Sequence, residues 1–171
     1  MTPEFSRIVR VDTIGDAPRT ISIEADAEER AALARRFGLI AIDRLAADFT
    51  VRREGEGVAL EGQVRAAATQ SCSVTGVPLP ATVDEAARLR FAEEQPEGED
   101  IELDDSEIDV LPMEDGAIDL GEAAAETLAL SLDPFPRSPQ AAEALAAAGV
   151  LDESAVGPFS ALAALKGKLG K

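Results

Sequence analysis

The chain has no histidine, no tryptophan and no tyrosine, and a single cysteine, Cys72. Without histidine there is no Ser-His-Asp or Cys-His catalysis and no histidine-bearing metal site. The side chain that most often titrates near neutral pH is missing too. One cysteine rules out an intrachain disulfide and, within one chain, the four N or S ligands of a structural zinc. With six phenylalanines as the only aromatics, Ala, Leu, Val and Ile have to build the core. No run approaches the roughly 18 apolar residues of a membrane helix. The start, MTPEFSRIVRV, lacks the basic-then-apolar pattern of a secretory signal. A soluble cytoplasmic protein without membrane contact is expected.

The 171 residues suffice for one domain with a real core. Their net charge of −17 is unevenly spread. Residues 1–90 carry 12 arginines against 14 acids, and residues 91–171 carry 4 bases against 19 acids. An arginine-bearing, near-neutral body is followed by an acidic part. Such a balance opposes wholesale wrapping of nucleic acid and suits a basic partner.

Periodicity predicts the elements. RIVRV (residues 7–11) and ISIE (21–24) read as strands. Asp26 with Glu29 has capping-box spacing and opens a helix that ends near Gly38. From residue 42 to 53 the period is two, with Leu45, Ala47, Phe49 and Val51 on one face; GEG (55–57) is a hairpin signal. Alternation resumes from Val58 to Cys72, and VPLP (77–80) marks the next turn. Residues 82–91 read as a third long strand; a short helix over 84–92 is the alternative that their alanines permit. Residues 93–115 hold 12 acids and no base, which favours an exposed, mobile loop, part of it adding as an edge strand. Asp119 and Glu122 predict a second capping box, followed by an apolar stripe of Leu120, Ala124, Thr127 and Leu128. Ser138 and Pro139 fit N-cap and N1 of a short helix ended by Gly149. A last helix from Pro158 carries Phe159, Leu162 and Leu165 on one side, followed by Lys166, Lys168 and Lys171. The expected fold is α+β: a curved antiparallel sheet, able to curl toward a barrel, with N- and C-terminal helices packed on it. The expected organisation is a sheet-forming body with one helix (1–92), the acidic loop (93–115) and a helical part of the same single domain (116–171).

Chemistry-bearing groups are few. A reactive Cys72 needs a base or a cation beside it; it ends a strand with neither adjoining, so a small half-buried residue is the simpler reading. Asp104, Asp105, Glu107 and Asp109 have the oxygens for weak Ca²⁺ or Mg²⁺ binding but not the spacing of an EF-hand loop, and a solvated acidic loop explains them as well. Arg52, Arg53, Arg65, Arg88 and Arg90 form the only base-rich constellation of the body. On adjacent strands they make either a small phosphate-binding patch for RNA or ordinary solvated strand faces. Glycine-rich phosphate loops are absent, and nothing in the chain calls for a cofactor.

Three segments in order carry a resemblance. CSVTGVPLPATVDEAARLRFA (72–92) is a cysteine turn followed by a strand ending in phenylalanine. GAIDLGEAAAETLALSLDPFPRSP (116–139) is an Ile-Asp-Leu segment leading into a leucine-bearing helix and a proline-rich stop. GPFSALAALKGKLGK (157–171) is a Pro-Phe-x-x-Leu-x-x-Leu-Lys ending. Together they resemble the YceD-like family, the large ribosomal RNA subunit accumulation proteins, over residues 72–171; the first 70 residues match only in element pattern. The resemblance implies a role in accumulation of large-subunit ribosomal RNA, and so in ribosome assembly, and brings no catalytic residue; the acidic charge adds the expectation of a non-enzymatic binding role with a basic ribosomal protein or a pre-large-subunit particle as partner and a possible contact with rRNA. The family often shows Cys-x-x-Cys at the first segment and further Cys or His after the proline-rich stop, a pattern that suggests a metal. Here Cys72 stands at the first position and Thr75 at the second, and Arg137, Ser138 and Pro139 follow the stop. The resemblance therefore implies a branch without the metal, in which Cys72 is the remnant of a ligand pair and packs or caps a turn.

Three mechanisms follow from these features. Residues 104, 105, 107 and 109 shield a basic partner, with Phe159, Leu162 and Leu165 either docked on the sheet or offered to a partner groove. Alternatively the arginine patch binds rRNA directly. The weakest alternative is a metal-assisted phosphoesterase using the acidic loop.

Overall fold

The computed structural model describes residues 3–92, 109–113 and 115–150. They fall into two compact units. Of the described residues, the first holds 3–70, 80–92, 109–113 and 115–134, and the second 71–79 and 135–150.

The first unit is built on a five-stranded sheet. Strands β2 (Arg19–Glu24), β3 (Ala41–Glu54), β4 (Gly57–Ser71), β5 (Pro78–Ala92) and β6 (Asp109–Pro112) are adjacent in that order. β3 runs antiparallel to both β2 and β4. Phe49 lies opposite Ile21 on one side and Gly62 on the other. Alternation reads as the sequence predicts: Leu45, Ala47, Phe49 and Val51 are at most 2% exposed, while Asp48 between them is exposed. Val58, Leu60 and Val64 of β4 continue this apolar face. Helix α1 (Ala27–Arg36) packs against β3, as does α2 (Leu120–Ser131), so both helices close the same core. Residues 82–91 form strand, not helix.

Several expectations are corrected. The sheet is mixed, because β6 pairs with the end of β5 in parallel. Among the described residues it does not close into a barrel, and a separate two-stranded antiparallel sheet joins β1 (Ile8–Arg10) to β7 (Ala117–Asp119). Pro78 and Pro80 are already in β5, and the turn lies earlier, at residues 72–76.

The helix starts show how local the sequence signals are. The Asp26–Glu29 box is present with both arms: Asp26 accepts from the Glu28 and Glu29 amides, and Glu29 accepts from the Asp26 amide at 2.8 Å. Arg7 also clamps Glu29 at 2.7 Å, which holds the Glu29 carboxyl below its usual range. At α2 only one arm forms. Asp119 caps the Gly121 and Glu122 amides, but the Glu122 carboxylate pairs with Arg36 instead of returning to the cap. A tertiary cation outcompetes the local amide.

Candidate functional site

In the second unit, residues 71–79 form a tight turn. The Cys72 amide donates to the Val77 carbonyl, and the Gly76 amide donates to the Cys72 carbonyl, both at 2.9 Å. This brings Cys72, Thr75 and Ser138 together. The Cys72 Sγ accepts from the Ser138 amide at 3.2 Å and from the Thr75 amide at 3.4 Å. It lies 3.6 Å from the Ser138 Oγ, which is itself 3.4 Å from the Thr75 Oγ1. Ser73 secures the same chain crossing: its amide and its hydroxyl both donate to the Pro136 carbonyl. Cys72 is 3% exposed and Ser138 5%.

Ser138 was expected as a helix N-cap. It is diverted: α3 (Ala141–Ala147) starts after Gln140 without any side-chain cap, and Ser138 faces the sulfur. Its role at Cys72 is the one sequence reasoning missed. The available signal was its place after the proline-rich stop, where the resemblance expects a further ligand. The metal reading can be tested on these donors. One thiol and two neutral hydroxyls, already engaged with each other and with backbone amides, do not fit a structural zinc centre. Among the described residues no group of three or more His, Cys, Asp or Glu converges.

The surroundings do alter the thiol. The hydrogen bond from Thr75 is the largest influence lowering its pKa. Burial opposes it, the Ser138 and Thr75 amides add to it, and the result is a fall from 9.0 to about 6. A titration of the single thiol by ultraviolet thiolate absorbance is expected to show a midpoint near pH 6 in the folded protein, returning to the ordinary thiol range in denaturant. Because the folded value is the lower one, ionisation favours the fold progressively between pH 6 and 9, and this contribution is lost as pH falls through about 6. A folded midpoint above 8 overturns this account of the turn.

The arginine constellation separates when placed on the sheet. Arg65 pairs with Asp48 at 2.9 Å and with Asp84 at 3.7 Å. Arg53 donates to the Val11 carbonyl at 3.1 Å. Arg52, Arg88 and Arg90 do converge, around a small recess of about 70 Å³ that also carries Glu54 and Glu61. Arg52 reaches both of those acids, at 3.5 and 3.9 Å. This face is thus a mixed-charge lattice in which, among the described residues, Arg88 and Arg90 make no ion pair.

The remaining expected residues lie elsewhere. Asp104, Asp105 and Glu107 fall outside the described residues, as do Phe159, Leu162 and Leu165, and only the backbone of Asp109 is described, as the start of β6. No helix among the described residues is long and apolar enough to cross a membrane.

Comparison with curated proteins and with solved structures found no match. A family model does match, over residues 60–166: the large ribosomal RNA subunit accumulation protein YceD. That span covers most of the chain, from near the start of β4 through the Cys72 turn, α2 and α3, and takes in the first two segments on which the sequence resemblance rests whole and the third as far as residue 166. The chain belongs to the YceD family, whose description ties it to accumulation of the large ribosomal RNA and so to ribosome biogenesis.

Proposed function

We propose that this protein is a non-enzymatic assembly factor of the large ribosomal subunit that works in the cytoplasm by holding a basic ribosomal protein until it joins rRNA. The observation that carries this reading is the charge asymmetry within a family tied to rRNA accumulation: residues 91–171 hold 19 acids against 4 bases. An acidic segment competes for the same cationic side chains that later meet phosphate, and complementary charge speeds encounter while disfavouring wrong partners. Asp104, Asp105, Glu107 and Asp109 are the proposed contact acids, and the stripe of Phe159, Leu162 and Leu165 supplies an apolar anchor.

One observation favours direct rRNA contact as the second reading. Arg88 and Arg90 stand beside Arg52 and outside the ion pairs that occupy Arg65. Phosphate contacts of this kind weaken steeply with salt.

The test is affinity capture of the tagged full chain from growing cells, washed at two salt concentrations, with and without nuclease. The shielding reading expects a basic large-subunit protein that survives nuclease. It expects that protein to be lost when residues 104, 105, 107 and 109 become Asn or Gln, and to be kept when Arg52, Arg88 and Arg90 become Ser. Recovery of large-subunit RNA alone, sensitive to nuclease and to the arginine changes, replaces shielding with the second reading. Hydrolysis of RNA on adding Mg²⁺ or Mn²⁺ would overturn both.

A further inference from the structure

The chain contains no asparagine and a single Asp-Gly step, Asp115–Gly116. In that pairing an aspartate turns most readily on its own backbone, because the next amide nitrogen has no Cβ beside it to keep the carboxyl away. Within a fold the reaction also needs solvent access, two unengaged reacting groups and a native backbone that gains little from staying as it is.

The turn meets these conditions. Asp115 and Gly116 are exposed and lead directly into β7. The space beside Gly116 is open: even an added Cβ would meet nothing within 4 Å. Among the described residues the Gly116 amide donates no backbone hydrogen bond, and Asp115 makes no ion pair. Asp26, Asp48 and Asp119 differ sharply, each being held by at least two hydrogen-bond donors. Asp115 also has a φ of 50°, the only positive φ of a non-glycine among the described residues. Its Cβ disfavours that left-handed region, so the native turn has little hold on this peptide unit.

We propose that Asp115 is a self-modification site, where the chain passes to an isoaspartyl linkage of the kind that a carboxyl methyltransferase recognises. The Gly116 nitrogen adds to the side-chain carboxyl carbon of Asp115. The new C–N bond closes a five-membered imide, and the amide proton leaves with the carboxyl hydroxyl as one water. Water then reopens the ring. Attack at the side-chain carbonyl restores aspartate. Attack at the main-chain carbonyl leaves the backbone running through the side chain and frees the α-carboxylate. Neither oxidant nor metal enters the balance.

The position gives the change a structural effect. The Gly116 carbonyl accepts from the Val11 amide at 3.0 Å, and Ala117 pairs with Arg10. An isoaspartyl link puts one extra backbone atom immediately before this contact. The modified chain is therefore expected to lose hydrogen-exchange protection at Val11, while Leu45 to Val51 in the core of β3 keep theirs.

The test ages the full chain in neutral buffer, natively folded and in urea. Peptides are then read by electron-transfer fragmentation, which separates the two linkages. Methyl uptake from labelled S-adenosylmethionine, through a methyltransferase specific for isoaspartate, is measured in parallel. The folded chain is expected to show a species one water lighter and then methyl uptake, both confined to the peptide with residue 115. Asp115→Glu, which could close only a six-membered ring, is expected to lose the uptake completely. Asp115→Asn is expected to reach the same imide faster, by losing ammonia. Modification in urea but not in the folded chain, uptake spread evenly over other aspartates, or undiminished uptake in Asp115→Glu each overturns the proposal. Unchanged exchange at Val11 in the modified fraction overturns its structural effect.

Discussion

Replacing Gly62 by alanine is expected to destabilise the protein by about 3 kcal/mol, a large effect for adding one methyl group. Gly62 lies opposite Phe49 in the β3–β4 ladder. A Cβ there meets the Asp48 carbonyl oxygen far inside contact distance and the Phe49 Cδ1 at 2.7 Å. The ring cannot retreat freely, because Phe49 is 0% exposed and belongs to the continuous core of the unit. Phe49→Ala is expected to cost about 4 kcal/mol through lost transfer energy and the cavity it leaves. The pair also yields a sharper result. In the double variant the clash with the ring disappears while the clash with the Asp48 carbonyl remains, so its cost should fall short of the summed single costs by about 1 kcal/mol. Urea unfolding of the four proteins measures this. Simple additivity would show that the backbone contact alone sets the need for glycine.

The same pair shows what was legible beforehand and what was not. Alternation identified the face of β3 that carries Phe49, because burial on one side of a sheet leaves a period of two in the sequence. It gave no hint that Gly62 makes room for that ring, since register between strands is a pairwise property that neither strand carries alone. Parallel pairing of β6 and the separate β1–β7 sheet were missed for the same reason. The Asp26 cap was legible because both its arms lie within one turn; half of the Asp119 cap was not, because Arg36 arrives from 86 residues away. At the candidate site, the sequence marked Cys72 and Thr75 but not Ser138, whose hydroxyl served equally well as a predicted cap. Function was legible chiefly through the ordered segments that the family match also covers.

Asp119→Ala is expected to be the second severe substitution, costing about 3 kcal/mol. One carboxylate serves four donors. It accepts from the Ser6 hydroxyl at 2.6 Å, the Arg7 amide at 2.7 Å, and the Gly121 and Glu122 amides at 2.9 and 3.3 Å. Losing an N-cap alone costs about 1 kcal/mol; the other two bonds, each worth about 1 kcal/mol in part-buried surroundings, fasten the N-terminal segment beside β7. For a chain of this size the sum corresponds to a fall in Tm of about 6–12 °C. Asp119→Asn keeps one carbonyl oxygen for the three amides and should recover more than half of the loss. Hydrogen exchange tells the two roles apart. If Asp119 acts as the joint between the N-terminal segment and α2, the alanine variant loses protection in β1 and in the first turn of α2 together. Loss in α2 alone would reduce Asp119 to a helix cap.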